Sequence, residues 1–194
     1  MYPIAATALC MSSSLMCLTF KEPLLQLRLK QDNLPVWLIG IIFSLDTITF
    51  TLTSFILNFI PEHKKNFKKL VCCGMIIFIL SMLFTGPVRG LPDKVSMICV
   101  GVLLGGCAGA LINNNCVPAL SAFLKDNIPN ISKNHIKNNI SAINTGAFGL
   151  GSIIGPILAS VLESQTNFRT AFTMVAVIVF VFALGQIWNV IRYK

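Results

Sequence analysis

This chain has little charge. Asp, Glu, Lys and Arg make up 11% of its 194 residues, against about 25% in soluble domains. A water-facing surface of ordinary size cannot be built from so few charges. Histidine is rarer still, with two residues, His63 and His135, far apart and both in polar stretches expected to be loops. No Cys-x-x-Cys pair, nucleophile–base arrangement or phosphate-cradling glycine loop occurs, so metal centres, common enzyme chemistries and organic cofactors have no motif to rest on. The seven cysteines all lie inside apolar runs, where a thiol packs as a small hydrophobe. The N-terminus lacks the basic region of a cleavable signal, and neither a low-complexity tail nor a soluble domain is expected.

What remains is apolar. Hydrophobic residues account for 55% of the chain, and the mean hydropathy is +0.77. The net charge of +8 would suggest nucleic acid in a soluble protein. Here the basic residues fall in short gaps between apolar runs, where they act as topology signals instead. Six runs are each close to the roughly 20 residues that a helix needs to cross hydrocarbon. They cover about 2–20, 36–60, 70–88, 95–120, 140–162 and 170–191. Each is too long for a barrel strand and lacks strict alternation, so the expected fold is all-α, with six transmembrane helices in one domain.

An even number of spans puts both termini on one side of the bilayer. That side would hold Lys64, Lys65, Lys68, Lys69, Lys125, Lys133, Lys137, Arg192 and Lys194. The opposite side would hold Lys21, Arg28, Lys30, Arg89, Lys94 and Arg169. The excess of cations favours cytoplasmic termini. Two glycosylation sequons, Asn130-Ile131-Ser132 and Asn139-Ile140-Ser141, fall on the side so assigned and argue the other way.

Polar groups within the spans are the candidate site. Asp46 lies near the middle of the second run, "IGIIFSLDTITFTLTSFILNFI". A carboxylate in hydrocarbon costs several kcal/mol, so it should face protein or water. Asp46, Thr49 and Thr53 fall at i, i+3 and i+7, with Thr47, Thr51 and Ser54 beside them, which defines one polar helix face. Two readings stand: a cavity-facing acid that binds a proton or cation, or a structural acid satisfied by a neighbouring hydroxyl or held protonated. Glu22 at the end of the first span either sits at a cavity mouth or pairs with Lys21 or Arg28. Asn113, Asn114 and Asn115 interrupt the fourth span just before Pro118, as solute ligands or as interhelical hydrogen-bonding groups. Gly101, Gly105 and Gly109, and likewise Gly151 and Gly155, are spaced for close helix packing. A stripe of Ser141, Thr145, Gly149, Ser152, Pro156 and Ser160 is expected to face the bundle interior.

Three stretches resemble the C-terminal half of the major facilitator superfamily. "FKEPLLQLRL" is similar to the exit from that family's seventh helix, and "IGIIFSLDTITFTLTS" to its eighth. The tract Gly149–Pro156 within "NTGAFGLGSIIGPILAS" resembles a G-x-x-x-G-P element of its antiporters, placed here in the equivalent of the eleventh helix. The branch it resembles most is that of drug/proton antiporters and vesicular amine transporters. The basic loop "NFIPEHKKNFKK" keeps an acid, Glu62, but carries Asn58 and Lys65 where the family has glycine. Spans four and five also lack the acids typical of amine carriers. The resemblance implies a 3+3 inverted repeat forming one half of a transporter, and alternating-access transport of a small organic solute, with cations and coupled protons as candidates. It further implies a second six-helix half, from a missing N-terminal portion or a second copy. The alternative is a truncated, non-transporting relative that serves as a membrane scaffold or partner subunit.

Overall fold

The computed structural model describes residues 2–61, 65–87, 92, 94–127 and 133–192. Glu62, His63, Arg89 and the first sequon lie outside the described residues. All regular structure among the described residues is helical: α1 (Tyr2–Gln31), α2 (Val36–Phe59), α3 (Phe67–Thr85), α4 (Val95–Asn127), α5 (Lys133–Gln165) and α6 (Phe168–Arg192). At 1.5 Å per residue, even the 19-residue α3 is about 28 Å long, close to the hydrocarbon thickness.

Several helices outrun their expected spans. α1 continues past Phe20 for a further eleven residues, to Gln31. The continuation is amphipathic, since Leu24, Leu25 and Leu29 are all buried, which is helical spacing on one face. Pro23 lies within it. The helix stops at Asn33, whose φ of 57° is the left-handed conformation that asparagine tolerates better than most residues. The Leu34 amide then donates back to the Leu29 carbonyl at 3.3 Å, and Pro35 opens α2. The expected loop of 21–35 thus shrinks to a tight turn. The segment after span four is also shorter than expected: α4 runs to Asn127 and α5 starts at Lys133, so His135 and the second sequon lie on helical backbone.

α4 packs against α2 and α3, α1 against α4, α5 and α6, and α3 against α6. The main core lies among α1, α3, α4 and α6, with Phe20, Phe78, Met75, Met82, Ile112 and Phe172 fully buried. Phe20 meets Phe172 edge to face at 5.3 Å, a favoured aromatic geometry. A second cluster of Leu25, Leu29, Ile39, Ile42, Ile98 and Val102 closes α1, α2 and α4 at one end. Leu120, Leu124 and Ile140 close α4 and α5 at the other.

The two tryptophans mark the ends of the bundle. Trp37 (66% exposed) starts α2 and Trp188 (56% exposed) stands near the end of α6, on opposite sides. Exposed tryptophans at both limits of an apolar belt are how membrane interfaces are lined. Burial is uneven along the belt: only 11% of the α2 span and 22% of the α5 span are buried within the chain.

Candidate functional site: an ion pair at a four-helix node

Lys21 occupies the buried stripe of α1. Cys10, Ser14, Cys17, Lys21 and Leu24 recur at i, i+4, i+7, i+11 and i+14, and all are buried. The ammonium therefore cannot reach the bulk. It donates instead to Asp46 of α2, with Nζ 2.7 Å from Oδ1. This differs from the sequence expectation, which placed Lys21 in an outer loop beside Glu22. The reason is that α1 does not end at Phe20, so Lys21 stays within the bundle.

A buried ammonium and a partly buried carboxylate are each costly alone, and pairing removes most of that cost. The low dielectric that penalises isolated charges also strengthens a charge-assisted hydrogen bond of this length. The two partners are unequally enclosed: the Lys21 side chain is 3% exposed and that of Asp46 is 19% exposed. The cation is sealed in and the anion keeps an open side.

Two further helices complete the node. A Cβ built on Gly105 of α4 would lie 2.9 Å from Lys21 Nζ, 3.0 Å from Ser81 Oγ and 3.2 Å from Asp46 Oδ1. Glycine is thus what leaves room for the pair. Ser81 of α3 donates its hydroxyl proton to the Gly101 carbonyl at 2.7 Å, which ties α3 to α4 at this level. One helical position further on, a Cβ on Gly106 would collide with the Asp46 carbonyl oxygen and with Thr49 Oγ1. Gly106 therefore sets how closely α2 approaches α4.

The remaining expected site residues divide into groups. Thr49 and Thr53 are half-buried on the same face as Asp46, whereas Thr47 and Thr51 are exposed. Thr49 donates to the carbonyls of Leu45 (2.8 Å) and Asp46 (3.0 Å). Asn114 donates to Ser54 Oγ of α2 at 2.7 Å, an interhelical bond. Asn115 is buried and donates to the Leu111 carbonyl, while Asn113 Oδ1 is buried with no hydrogen-bond partner among the described residues. Pro118 lies within α4, and its missing N–H leaves the Asn114 carbonyl without its helical donor. Glu22 is exposed and makes no ion pair among the described residues. With Gln26 it forms one wall of a groove of about 530 Å³, whose other wall is Val36, Ile39, Gly40 and Phe43 of α2. Arg28 pairs with Asp32 at 3.5 Å.

The glycine expectations need refinement. Gly101 packs against Thr85, with its virtual Cβ 2.5 Å from the Thr85 amide nitrogen, and Gly105 holds the node. Gly109, by contrast, has ordinary room, with Phe50 no nearer than 3.5 Å. In α5, Gly151 and Gly155 face the α1 backbone: a Cβ built on Gly151 would lie 3.0 Å from the Met16 nitrogen, and one on Gly155 would lie 2.6 Å from the Met16 carbonyl oxygen. With Ala147 and Ala159, both buried, they form a four-member row of small residues. That row turns inward and carries the neighbouring stripe outward. Ser141, Thr145, Ser152, Pro156 and Ser160 are exposed and Gly149 is half-buried, so the stripe does not face the interior of this bundle.

Lys21, Ser81 and Gly106 are the residues that sequence reasoning missed. Lys21 had a signal, because it continues the apolar stripe of α1 and is the cation that an intramembrane acid requires. Ser81 and Gly106 had none, because their roles depend on which helices meet.

Six apolar helices of membrane length, packed around a largely enclosed ion pair, define a multi-pass helical membrane protein. The chain belongs to the major facilitator superfamily, a family of membrane transporters, whose sequence profile matches residues 4–193. A comparison with curated proteins found no match.

Proposed function

We propose that this chain forms one half of a secondary transporter that moves a small organic solute by alternating access, with the Lys21–Asp46 pair at its working centre. The observation that carries this reading is the asymmetric enclosure of the pair. Lys21 is sealed within the bundle on α1, beside Gly105 of α4, while Asp46 keeps an open side on the least buried helix of the bundle. A carboxylate so placed can exchange its partner for a proton or a solute group without being torn from the core. The pair is neutral overall, so it does not by itself draw in a cation. Glu22, uncompensated in its groove, supplies that attraction and supports an organic cation as the solute. The Gly149–Pro156 tract supports the drug/proton antiporter branch.

A second six-helix half, from another part of a longer protein or from a second copy, would cover the exposed faces of α2 and α5. Removing Lys21 from the outer-side tally leaves Arg28, Lys30, Arg89, Lys94 and Arg169 against the nine cations of the other side. That strengthens the case for cytoplasmic termini. The test is uptake into proteoliposomes of a panel of organic cations, neutral drugs and sugars under an imposed pH gradient. Saturable uptake of one class, reduced by Glu22→Gln if the solute is cationic, supports the reading. No gradient-dependent uptake of any panel member, by the chain alone or joined to a second half, counts against it.

A further inference from the structure

On the far side of the bundle from Asp46, α3 and α6 run antiparallel and leave a groove between them of about 350 Å³. Cys72, Cys73, Ile76 and Ile77 of α3 form one wall, and Ile187 and Val190 of α6 the other. The lining is apolar except at one end, where Lys69 stands at the rim. Arg192 follows Val190 in the last turn of α6. Both cations are exposed, on two different helices, and neither has an ion-pair partner among the described residues. Trp188, also exposed, places this rim at the membrane–water interface.

An apolar slot at membrane depth, topped by two unneutralised cations at headgroup level, matches one ligand in shape and in charge. We propose that the α3–α6 groove is a binding site for an anionic phospholipid. One acyl chain lies along Ile76, Ile77 and Ile187, and the phosphate meets Lys69 and Arg192. The reasoning is charge complementarity. Each cation near an anionic headgroup contributes about 1 kcal/mol, and neutral lipids offer the same chains without that term. The site is independent of the transport reading, because it uses none of the residues around Asp46 or Glu22.

Native mass spectrometry of the detergent-purified full chain tests this. Dioleoyl phosphatidylglycerol is titrated against dioleoyl phosphatidylcholine, for the parent chain and for Lys69→Gln, Arg192→Gln and the double variant. The expected result is preferential retention of phosphatidylglycerol. Affinity should fall about fivefold for each cation removed and roughly thirtyfold for both, by conversion of that per-charge contribution. Ile187→Trp, which fills the groove and keeps the charges, should weaken long-chain phosphatidylglycerol more than its dihexanoyl analogue. Equal binding of the two headgroups overturns the proposal, as does an unchanged affinity in the double variant. A dimer signal that Ile187→Trp abolishes would also overturn it, by assigning the groove to a second copy of the chain. Because Lys69 and Arg192 are exposed, both charge variants are expected to fold, which an unchanged melting temperature would verify.

Discussion

Removing either member of the Lys21–Asp46 pair leaves the other without its ion-pair partner. Asp46→Asn leaves a sealed ammonium, and Lys21→Met leaves a carboxylate, open on one side, without its cation. Breaking a buried pair in this way costs about 3–5 kcal/mol. Each single variant should therefore melt well below the parent in detergent and express poorly. The pair-replacing variant Lys21→Met/Asp46→Leu removes both charges together and should recover most of that loss, because a buried pair exchanged for packed apolar groups is often close to neutral. Fluorescence-detected size exclusion across a temperature series would read all three. If the single variants melt like the parent, the pair contributes nothing to stability and Lys21 is not the partner that the 2.7 Å contact implies. Asp46 was legible in the sequence, because one acid in a long apolar run needs no structure to stand out. Lys21 was not, because "KEP" reads as a helix exit, and only the continuation of α1 to Gln31 puts it back inside.

At the scale of helices, close packing rests on which glycine meets backbone and which meets open space. Gly106→Ala would drive a methyl group into the Asp46 carbonyl, which cannot rotate away, and should cost about 1–3 kcal/mol through overpacking. Gly109→Ala has room beside Phe50 and should change stability by less than about 1 kcal/mol, helped by alanine's better helix propensity. Equal melting temperatures for these two variants would contradict the α2–α4 approach described above. Spacing alone selected Gly101, Gly105 and Gly109 and passed over Gly106, because a four-residue repeat shows that a face is small without showing what lies across from it. The same limit explains α5. Its sequence shows two adjacent stripes, one of small residues and one of serines, and periodicity cannot say which turns inward. Contact with α1 decides it, since Ala147, Gly151, Gly155 and Ala159 admit a backbone that the serines would hold off.

For the whole molecule, the number, order and helical nature of the spans followed from hydropathy alone, because hydrocarbon allows an isolated chain few other ways to satisfy its backbone. Pairing of the helices did not follow, and with it went the composition of the site. Orientation is open to direct measurement. On a cysteine-free background, and in cells made to carry the protein in the plasma membrane, Asn33→Cys in the α1–α2 turn should react with a membrane-impermeant maleimide added to intact cells. Asn58→Cys, at the other end of α2, should react only after permeabilisation. The reverse pattern would invert the topology and make the sequon at Asn139 available for glycosylation.

The central claim is that Lys21 and Asp46 serve transport as well as folding. It is tested most directly by gradient-driven uptake in proteoliposomes containing the Lys21→Met/Asp46→Leu variant, at matched reconstitution, with the solute that the panel identifies. The account predicts a folded, normally reconstituted protein whose uptake falls to the level of empty liposomes. Uptake at the parent rate would show that the pair only holds the helices together, and that the working centre lies elsewhere.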